Sequence, residues 1–200
     1  CLYNRERFRN FLFVNISWGL GLGIVIDGKV YGGNNGYAGE FGHMNVYNND
    51  IICHCGKKGC LETEVSGMAM QRMLVERIRK GEATILKGMI SNGAEPTPAD
   101  ILGAINREDP LCIDLIENMG MELGKQLANL INLFNPEAVI LSGSFSRDSI
   151  YFTEAIKSSI RKFSLKLMYK NVRILQSENP DRIGVLGACL LGRHRFADEV

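Results

Sequence analysis

Residues 40–62 read EFGHMNVYNNDIICHCGKKGCLE, and this stretch holds three of the six cysteines and two of the three histidines of the 200-residue chain. Thiolate and imidazole groups are ligands that Zn²⁺ prefers, in a tetrahedral arrangement. Cys53, Cys55 and Cys60 follow the spacing Cys-x-Cys-Gly-x-x-Gly-Cys, whose glycines permit tight turns that bring three sulfurs together. His43, ten residues before Cys53, is the natural fourth ligand. Four protein ligands complete the shell, so the pattern predicts a structural zinc site.

Two other readings of these residues are possible. A disulfide with one free thiol is the first alternative, and it is disfavoured for a protein of a reducing compartment. His54 is the alternative fourth ligand, but it lies between Cys53 and Cys55 and would have to point the same way as both neighbours. His43 is therefore the favoured ligand, and His54 is predicted to lie at the surface.

Composition limits the class of protein. With 46% hydrophobic and 22% charged residues the chain can bury a core, and a net charge of +1 leaves no overall basic footprint for nucleic acid or acidic membranes. No apolar run approaches the roughly 20 residues of a membrane-spanning helix, and no signal-peptide pattern is visible. A cytoplasmic protein without membrane contact is predicted. Cys112 and Cys189 lie in apolar helical contexts and are predicted to be buried thiols.

The chain begins with Cys1-Leu2-Tyr3-Asn4 and has no initiator methionine, so it is interpreted as a fragment of a longer protein. Its length suits one domain or one lobe of a larger domain. The expectation is a single unit over residues 1–200 that contains the zinc loop at residues 40–62.

The first part of the chain is predicted to form an antiparallel meander. Strands are expected at residues 11–17, 24–26 and 29–31, with Asp27-Gly28 as the hairpin turn between the last two. The first two strands are joined by a glycine-rich bend, Ser17-Trp18-Gly19-Leu20-Gly21-Leu22-Gly23.

After residue 62 the hydrophobic period becomes helical. Helix caps are expected at Thr97 and Asp109, and Asn135-Pro136 should end the longest helix. Helices are predicted over about 68–80, 85–89, 98–106, 110–134, 149–165 and 183–194, strands over 137–141 and 172–175, and a turn over 142–146. The order predicts an α/β fold with a mixed sheet flanked by helices.

Two motifs within residues 40–62 together resemble the signature of the ROK family (repressor, open reading frame, kinase). They are Glu40-Phe41-Gly42-His43 and Cys53-x-Cys55-Gly-x-x-Gly-Cys60-x-Glu62, and their spacing matches the family pattern without a gap. The meander and Val139-Ile-Leu-Ser-Gly143 also match, so the resemblance covers nearly the whole chain. The family includes glucokinases, fructokinases, N-acylhexosamine kinases and sugar-responsive repressors. The resemblance implies the actin-like ATPase fold (sugar kinase, RNase H-like), of which this chain would be mainly the C-terminal lobe.

The resemblance also implies sugar-binding residues. In the family, the glutamate and histidine of the first motif and the glutamate after the last cysteine bind sugar hydroxyls, which assigns this role to Glu40, His43 and Glu62. Carboxylates accept hydrogen bonds from hydroxyls, and a zinc-bound imidazole has its second nitrogen fixed as a donor. Without the resemblance, Glu62 would be interpreted as a solvated loop carboxylate or a charge at a helix N-terminus.

The nucleotide-binding motifs of ROK kinases are altered in this sequence. Trp18 stands where the family bend has threonine, and Leu22 replaces a glycine. Gly19 and Gly21 remain, but a purely structural bend is favoured over a working phosphate loop. In place of a Gly-Gly-Gly run the chain has Ser142-Gly143-Ser144. These glycines are therefore predicted to belong to a degenerate nucleotide site.

Five basic residues form a stripe between residues 157 and 170. It could contact DNA, but a solvated helix face is the favoured interpretation. Its members are Lys157, Arg161, Lys162, Lys166 and Lys170.

The leading interpretation is the effector-binding part of a ROK-type transcriptional regulator that is not an enzyme. It would bind a sugar or sugar phosphate, contact DNA through an N-terminal winged helix-turn-helix outside this chain, and form homo-oligomers. The alternative is an ATP-dependent sugar kinase of the glucokinase or N-acylhexosamine kinase type, using ATP-Mg and an aspartate outside this chain as general base. A zinc module for protein contacts is a third possibility.

Overall fold

The first three strands form an antiparallel meander, as predicted, but the second strand begins at residue 20 rather than 24, so residues 20–23 of the expected bend are paired with the first strand. Strand β1 covers Phe11–Ile16, β2 covers Leu20–Ile26, and β3 is the short strand Lys29–Val30. Asp27 and Gly28 join β2 to β3 with φ angles of 51° and 76°. Positive φ at both central residues is what a type I′ hairpin turn requires, so the predicted turn is confirmed.

The sheet is mixed, and β1 lies at its centre. The computed structural model describes residues 8–177, without the side chains of Arg147 and Asp148. Within these residues the strands follow the order β3-β2-β1-β4-β5, where β4 covers Ala138–Ser142 and β5 covers Arg173–Gln176. Strand β1 is antiparallel to β2 and parallel to β4, which is parallel to β5. Every residue of β4 is buried, as predicted for a strand that is covered on both faces.

Four helices lie between residue 67 and β4. Thr97 caps one helix by accepting the N–H of Asp100, and Asp109 caps the longest by accepting the N–H of Cys112. Asn135, with φ 45°, ends that helix in the left-handed conformation. The two predicted caps and the predicted stop are therefore confirmed. The helices are α1 (Gly67–Arg79), α2 (Lys87–Ser91), α3 (Pro98–Ile105) and α4 (Pro110–Phe134).

Three helices after β4 correct the sequence prediction. Residues 142–146 do not form only a turn, because α5 (Ser144–Asp148) begins directly after Gly143. Helix α6 (Ile150–Phe163) ends earlier than predicted, since Ser164 is extended, and α7 (Lys166–Asn171) follows as a separate helix. Short polar helices carry too few apolar residues to show a period. The helix predicted over 183–194 lies outside the described residues.

Helices α4 and α6 pack closely through two glycines of α4. A Cβ placed on Gly120 would lie 2.8 Å from the carbonyl oxygen of Phe152, and one on Gly124 would lie 2.6 Å from that of Ile156. The glycines therefore let the two helix backbones approach. None of the helices within residues 8–177 is long and apolar enough to cross a membrane.

Replacing Gly124 by alanine should reduce the free energy of unfolding by about 1–3 kcal/mol, because the methyl group would press on backbone atoms of α6. Gly103 in α3 is the matched control, since a Cβ there meets no atom within 4 Å. Gly103→Ala should raise stability by about 0.4–1 kcal/mol. Urea unfolding of the purified protein measures both values, and a stabilising Gly124→Ala would contradict the close packing.

Candidate functional site

Four predicted metal ligands converge in the structure. One donor atom from each of His43, Cys53, Cys55 and Cys60 lies within 4.8 Å of the others. The Cys55 and Cys60 sulfurs are 3.7 Å apart, and the Cys53 sulfur is 3.5 Å from Nδ1 of His43. All four described cysteines, these three and Cys112, are free thiols, so the structure contains no disulfide among them.

This donor set fits a tetrahedral metal ion. With Zn–S bonds of about 2.3 Å and Zn–N bonds of about 2.05 Å, tetrahedral geometry requires S···S separations of about 3.8 Å and S···N separations of about 3.6 Å. The two observed separations, 3.7 Å and 3.5 Å, agree with these values. The cluster could therefore hold a metal ion such as zinc with little rearrangement.

The loop reaches this arrangement through its glycines. Gly56 and Gly59 have φ angles of 84° and 75°, which favour glycine. A Cβ on Gly59 would also overlap the carbonyl oxygen of Tyr47. Between the cysteines, the N–H of Cys53 donates to the carbonyl of Lys57 at 2.8 Å, and that of Gly56 donates back to the carbonyl of Cys53 at 2.9 Å. The glycines of the motif thus close the turns that the sequence predicts.

Cys55 and Cys60 differ in acidity. Burial, together with the neighbouring thiols, raises the pKa of Cys60 to about 12. A backbone hydrogen bond involving Lys57 lowers the pKa of the exposed Cys55 thiol. Because thiolates repel each other and a buried thiolate is costly, the cluster becomes fully ionised only when a cation neutralises it.

The two ring nitrogens of His43 face different groups, the cysteine cluster and a carboxylate. Its Nδ1 faces the sulfur of Cys53, and its Nε2 lies 3.8 Å from Oε2 of Glu40. The Glu40 side chain is largely exposed, and that of His43 is partly exposed. A metal at Nδ1 would leave Nε2 protonated and facing the open side.

Glu62 is buried, which excludes the solvated loop carboxylate that would be expected without the family resemblance. Its Oε2 accepts the N–H of Leu20 at 2.9 Å, and its Oε1 lies 3.0 Å from Nδ1 of His54. A Cβ on Gly19 would come within 2.7 Å of Oε2. The glycine-rich bend therefore leaves room for the Glu62 carboxylate and supplies one of its hydrogen bonds.

His54 lies at the surface, as predicted, but it has contacts that the sequence did not reveal. Its ring packs edge-on against His43 with centroids 5.1 Å apart, in addition to its contact with Glu62. His43, His54 and Glu62 form a second group of possible metal ligands. This group shares His43 with the cysteine cluster, so it is better described as a polar patch beside that cluster. The sequence signal for it was the position of His54 between two cysteines predicted to bind metal.

The glycines predicted for a nucleotide site lie at the carboxyl end of β1. Gly21 pairs with Asn15 of β1 and has open space around it, whereas Gly19 adjoins Glu62. Gly143 has a φ of 94°, and a Cβ there would overlap the carbonyl oxygen of Ile16. Packing within the protein therefore explains why glycine is needed at Gly19 and Gly143.

Trp18 occupies the surface of the bend. Its side chain is 49% exposed, and its carbonyl accepts the N–H of Met68 at the start of α1. The carbonyl of Ser17 accepts the N–H of Gly67 at 2.7 Å. The first two amides of α1 therefore donate hydrogen bonds to the bend, and these bonds hold the bend against that helix.

The basic stripe is divided between α6 and α7. Lys157 pairs with Glu154 at 2.8 Å, and the Arg161 guanidinium stacks over the ring of Tyr169 at 5.5 Å. These contacts are typical of a solvated helix face, the interpretation that the sequence favours.

The chain belongs to the ROK family, whose family model matches residues 1–195. It is 33% identical over 180 residues to the xylose repressor of Caldicellulosiruptor bescii, covering 89% of this chain and 44% of that protein. The chain thus spans less than half of that repressor.

Solved structures show the same family fold, the actin-like sugar kinase fold. A ROK family transcriptional regulator, a homologue of the Escherichia coli MLC protein, superposes with a TM-score of 0.78 at 34% identity, over 86% of this chain and 42% of that one. A ROK family glucokinase from Streptomyces griseus, solved with glucose and AMPPNP, superposes with a TM-score of 0.83 at 28% identity, over 94% and 62%. Both regulators and kinases are therefore among the relatives.

Thiol reactivity should follow the geometry of the cluster. After metal is removed with a chelator, iodoacetamide at neutral pH should alkylate Cys55 before the other described cysteines, because this thiol is exposed and has a lowered pKa. Cys60 and Cys112 should react slowly, since burial raises the pKa of each to about 12. Mass spectrometry of tryptic peptides gives the order, and adding Zn²⁺ should protect Cys55. Faster alkylation of Cys112 would contradict the described burial.

Proposed function

We propose that this chain is the sugar-effector-binding part of a ROK-type transcriptional regulator, in which His43, Cys53, Cys55 and Cys60 hold a structural zinc ion. The relatives include regulators, and the four donor atoms have separations suited to that ion. The observation that carries the proposal is the contact between the glycine-rich bend and Glu62. The Leu20 amide is hydrogen-bonded to the Glu62 carboxylate, which supports a bend that serves sugar binding rather than phosphate binding.

The proposed sugar site consists of Glu40, His43 and Glu62. Glu40 and Glu62 would accept hydrogen bonds from hydroxyls, while Nε2–H of His43 would donate one. Zinc at Nδ1 would fix the tautomer and the ring orientation of His43. The metal would therefore act by positioning ligands, not as a Lewis acid. Further sugar contacts would come from the other lobe, since this chain is proposed to be mainly the C-terminal lobe, within residues 1–200 of a longer protein.

The regulatory part of the proposal follows from linkage. A sugar or sugar phosphate that binds one arrangement of the lobes more tightly shifts the population towards it, and DNA affinity changes with that population. The DNA-binding segment is proposed to lie N-terminal to this chain in a cytoplasmic homo-oligomer.

A sugar kinase is the second candidate, and one observation favours it. Gly19, Gly21 and Gly143 lie at the same end of β1, and the Streptomyces griseus glucokinase has the same fold. In that case ATP-Mg would bind at this end of the sheet. The half-exposed Trp18, in place of the family's threonine, speaks against this candidate.

The proposed zinc site can be tested with Cys55→Ser. This change should lower bound zinc from about one equivalent per chain to a small fraction and reduce the Tm, because binding energy of a structural metal is folding energy. Metal analysis and thermal unfolding measure the two effects. Cys112→Ser is the control, since it alters a buried thiol outside the cluster and should retain zinc. One full equivalent of zinc in Cys55→Ser would show that the ligand set is wrong.

The proposed sugar site can be tested with Glu62→Gln in the full-length protein. Calorimetric titration with glucose, xylose and N-acetylglucosamine, and with their phosphorylated forms, should give binding to the unmodified protein. Glu62→Gln should weaken it at least about tenfold, because a charged acceptor is lost. Glu95→Gln, at an exposed position, should leave affinity unchanged.

An ATP-dependent phosphorylation assay on the same full-length protein separates the two candidate functions. The regulator should show no turnover with these sugars, and its operator affinity should change when the sugar binds. Turnover at ordinary enzyme rates, about 1–10³ s⁻¹, would reject a function as regulator alone.

A further inference from the structure

We propose that His54 is a positioning residue that holds the Glu62 carboxylate in the orientation needed to receive sugar hydroxyls. This inference rests on the proposed sugar-binding function and adds a residue to it. It assigns to the residue between Cys53 and Cys55 a role that the metal-binding spacing does not require.

The Glu62 carboxylate is anchored at both oxygens. Leu20 donates its backbone N–H to Oε2 at 2.9 Å, and Nδ1 of His54 lies 3.0 Å from Oε1. The Glu62 side chain is only 6% exposed, whereas that of His54 is 62% exposed. His54 thus covers the carboxylate from the solvent side, while the bend holds it from the side of the sheet.

The chemistry of the pair makes this contact favourable. A carboxylate only accepts hydrogen bonds, so the contact with His54 is attractive when Nδ1 carries the ring proton. With the Leu20 amide bonded to one oxygen and His54 against the other, the carboxylate cannot rotate freely, and its remaining lone pairs keep fixed directions for sugar hydroxyls.

Two other polar side chains lie near this carboxylate. Arg72 lines a cavity of about 110 Å³ together with His54 and Glu62. Its guanidinium, however, binds Glu64, Glu76 and the carbonyl of Thr63. The Cys53 thiol reaches Oε1 of Glu62 only at 4.0 Å. Among the described residues that line the cavity, His54 therefore makes the shortest side-chain contact with Glu62.

The metal loop determines where His54 stands. Its two neighbours, Cys53 and Cys55, have sulfurs in the ligand cluster, and its ring packs edge-on against the ring of His43 at 5.1 Å. A metal that fixes these ligands would also fix the backbone of His54. The cluster would in this way orient two sugar-site groups, His43 directly and Glu62 through His54.

Calorimetric titration of the full-length, zinc-loaded protein with glucose, xylose and N-acetylglucosamine tests the inference, using whichever sugar the unmodified protein binds. His54→Ala should weaken binding about tenfold, because Glu62 loses the side chain that holds its second oxygen in place. His54→Asn should restore most of the affinity, because its amide nitrogen takes nearly the place of Nδ1. Zinc content should stay at the unmodified level in both variants, which separates the effect from loss of the loop.

A double-mutant cycle shows whether His54 acts through Glu62. In the Glu62→Gln background, His54→Ala should cause little additional loss, since the group it positions is already altered. Full additivity, or equal affinity of His54→Ala and the unmodified protein, would overturn the role of His54 while leaving the sugar-binding proposal intact. An unmodified protein that binds none of the sugars would overturn the proposed function, and this inference with it.

Discussion

Four donor atoms, from His43, Cys53, Cys55 and Cys60, meet within 4.8 Å, and the course of residues 40–62 depends on this convergence. Hydrophobic burial holds the ends of the loop, where Phe41 and Leu61 lie in the core, but not the part around Ile52, which is 70% exposed. The loop also contributes isolated bridges rather than strands to the structure. Thiols packed so closely repel once ionised, so an ion that neutralises them would add directly to folding stability.

The carboxylate of Glu62 connects this loop to the central sheet. Its hydrogen bond to the Leu20 amide joins residues 42 apart in sequence, and Leu20 is the first residue of β2. Since Ile16 pairs with Leu20, the bend is rigidly attached to β1, the strand at the centre of the sheet. The end of the loop is therefore held in a fixed position relative to the central sheet.

Sequence reasoning succeeded where the determining contacts are local. Asp109 and Asn135 define the ends of the longest helix through their own turns, and cysteine spacing alone gave the cluster that the structure brings together. It did not reveal that Glu62 is buried, because the contact is with a distant amide, and it missed α5 and α7, which are too short for a hydrophobic period. The contact of His54 was missed for the same reason, since its partner becomes a neighbour only when the loop has folded.

The glycine-rich bend shows why glycines alone do not identify a nucleotide site. A phosphate needs glycine because a β-carbon would hold the anion away from the amides. The buried carboxylate of Glu62 places the same demand on Gly19, since a Cβ there would lie 2.7 Å from Oε2. Gly19 would therefore be required by either anion, whereas a threonine beside it would be required only by the phosphate. Trp18 stands at that position, and its exposed indole adds bulk with a single N–H donor. Gly19 alone is therefore no evidence for a nucleotide site, and the residue beside it is the more informative position for separating the two candidate functions.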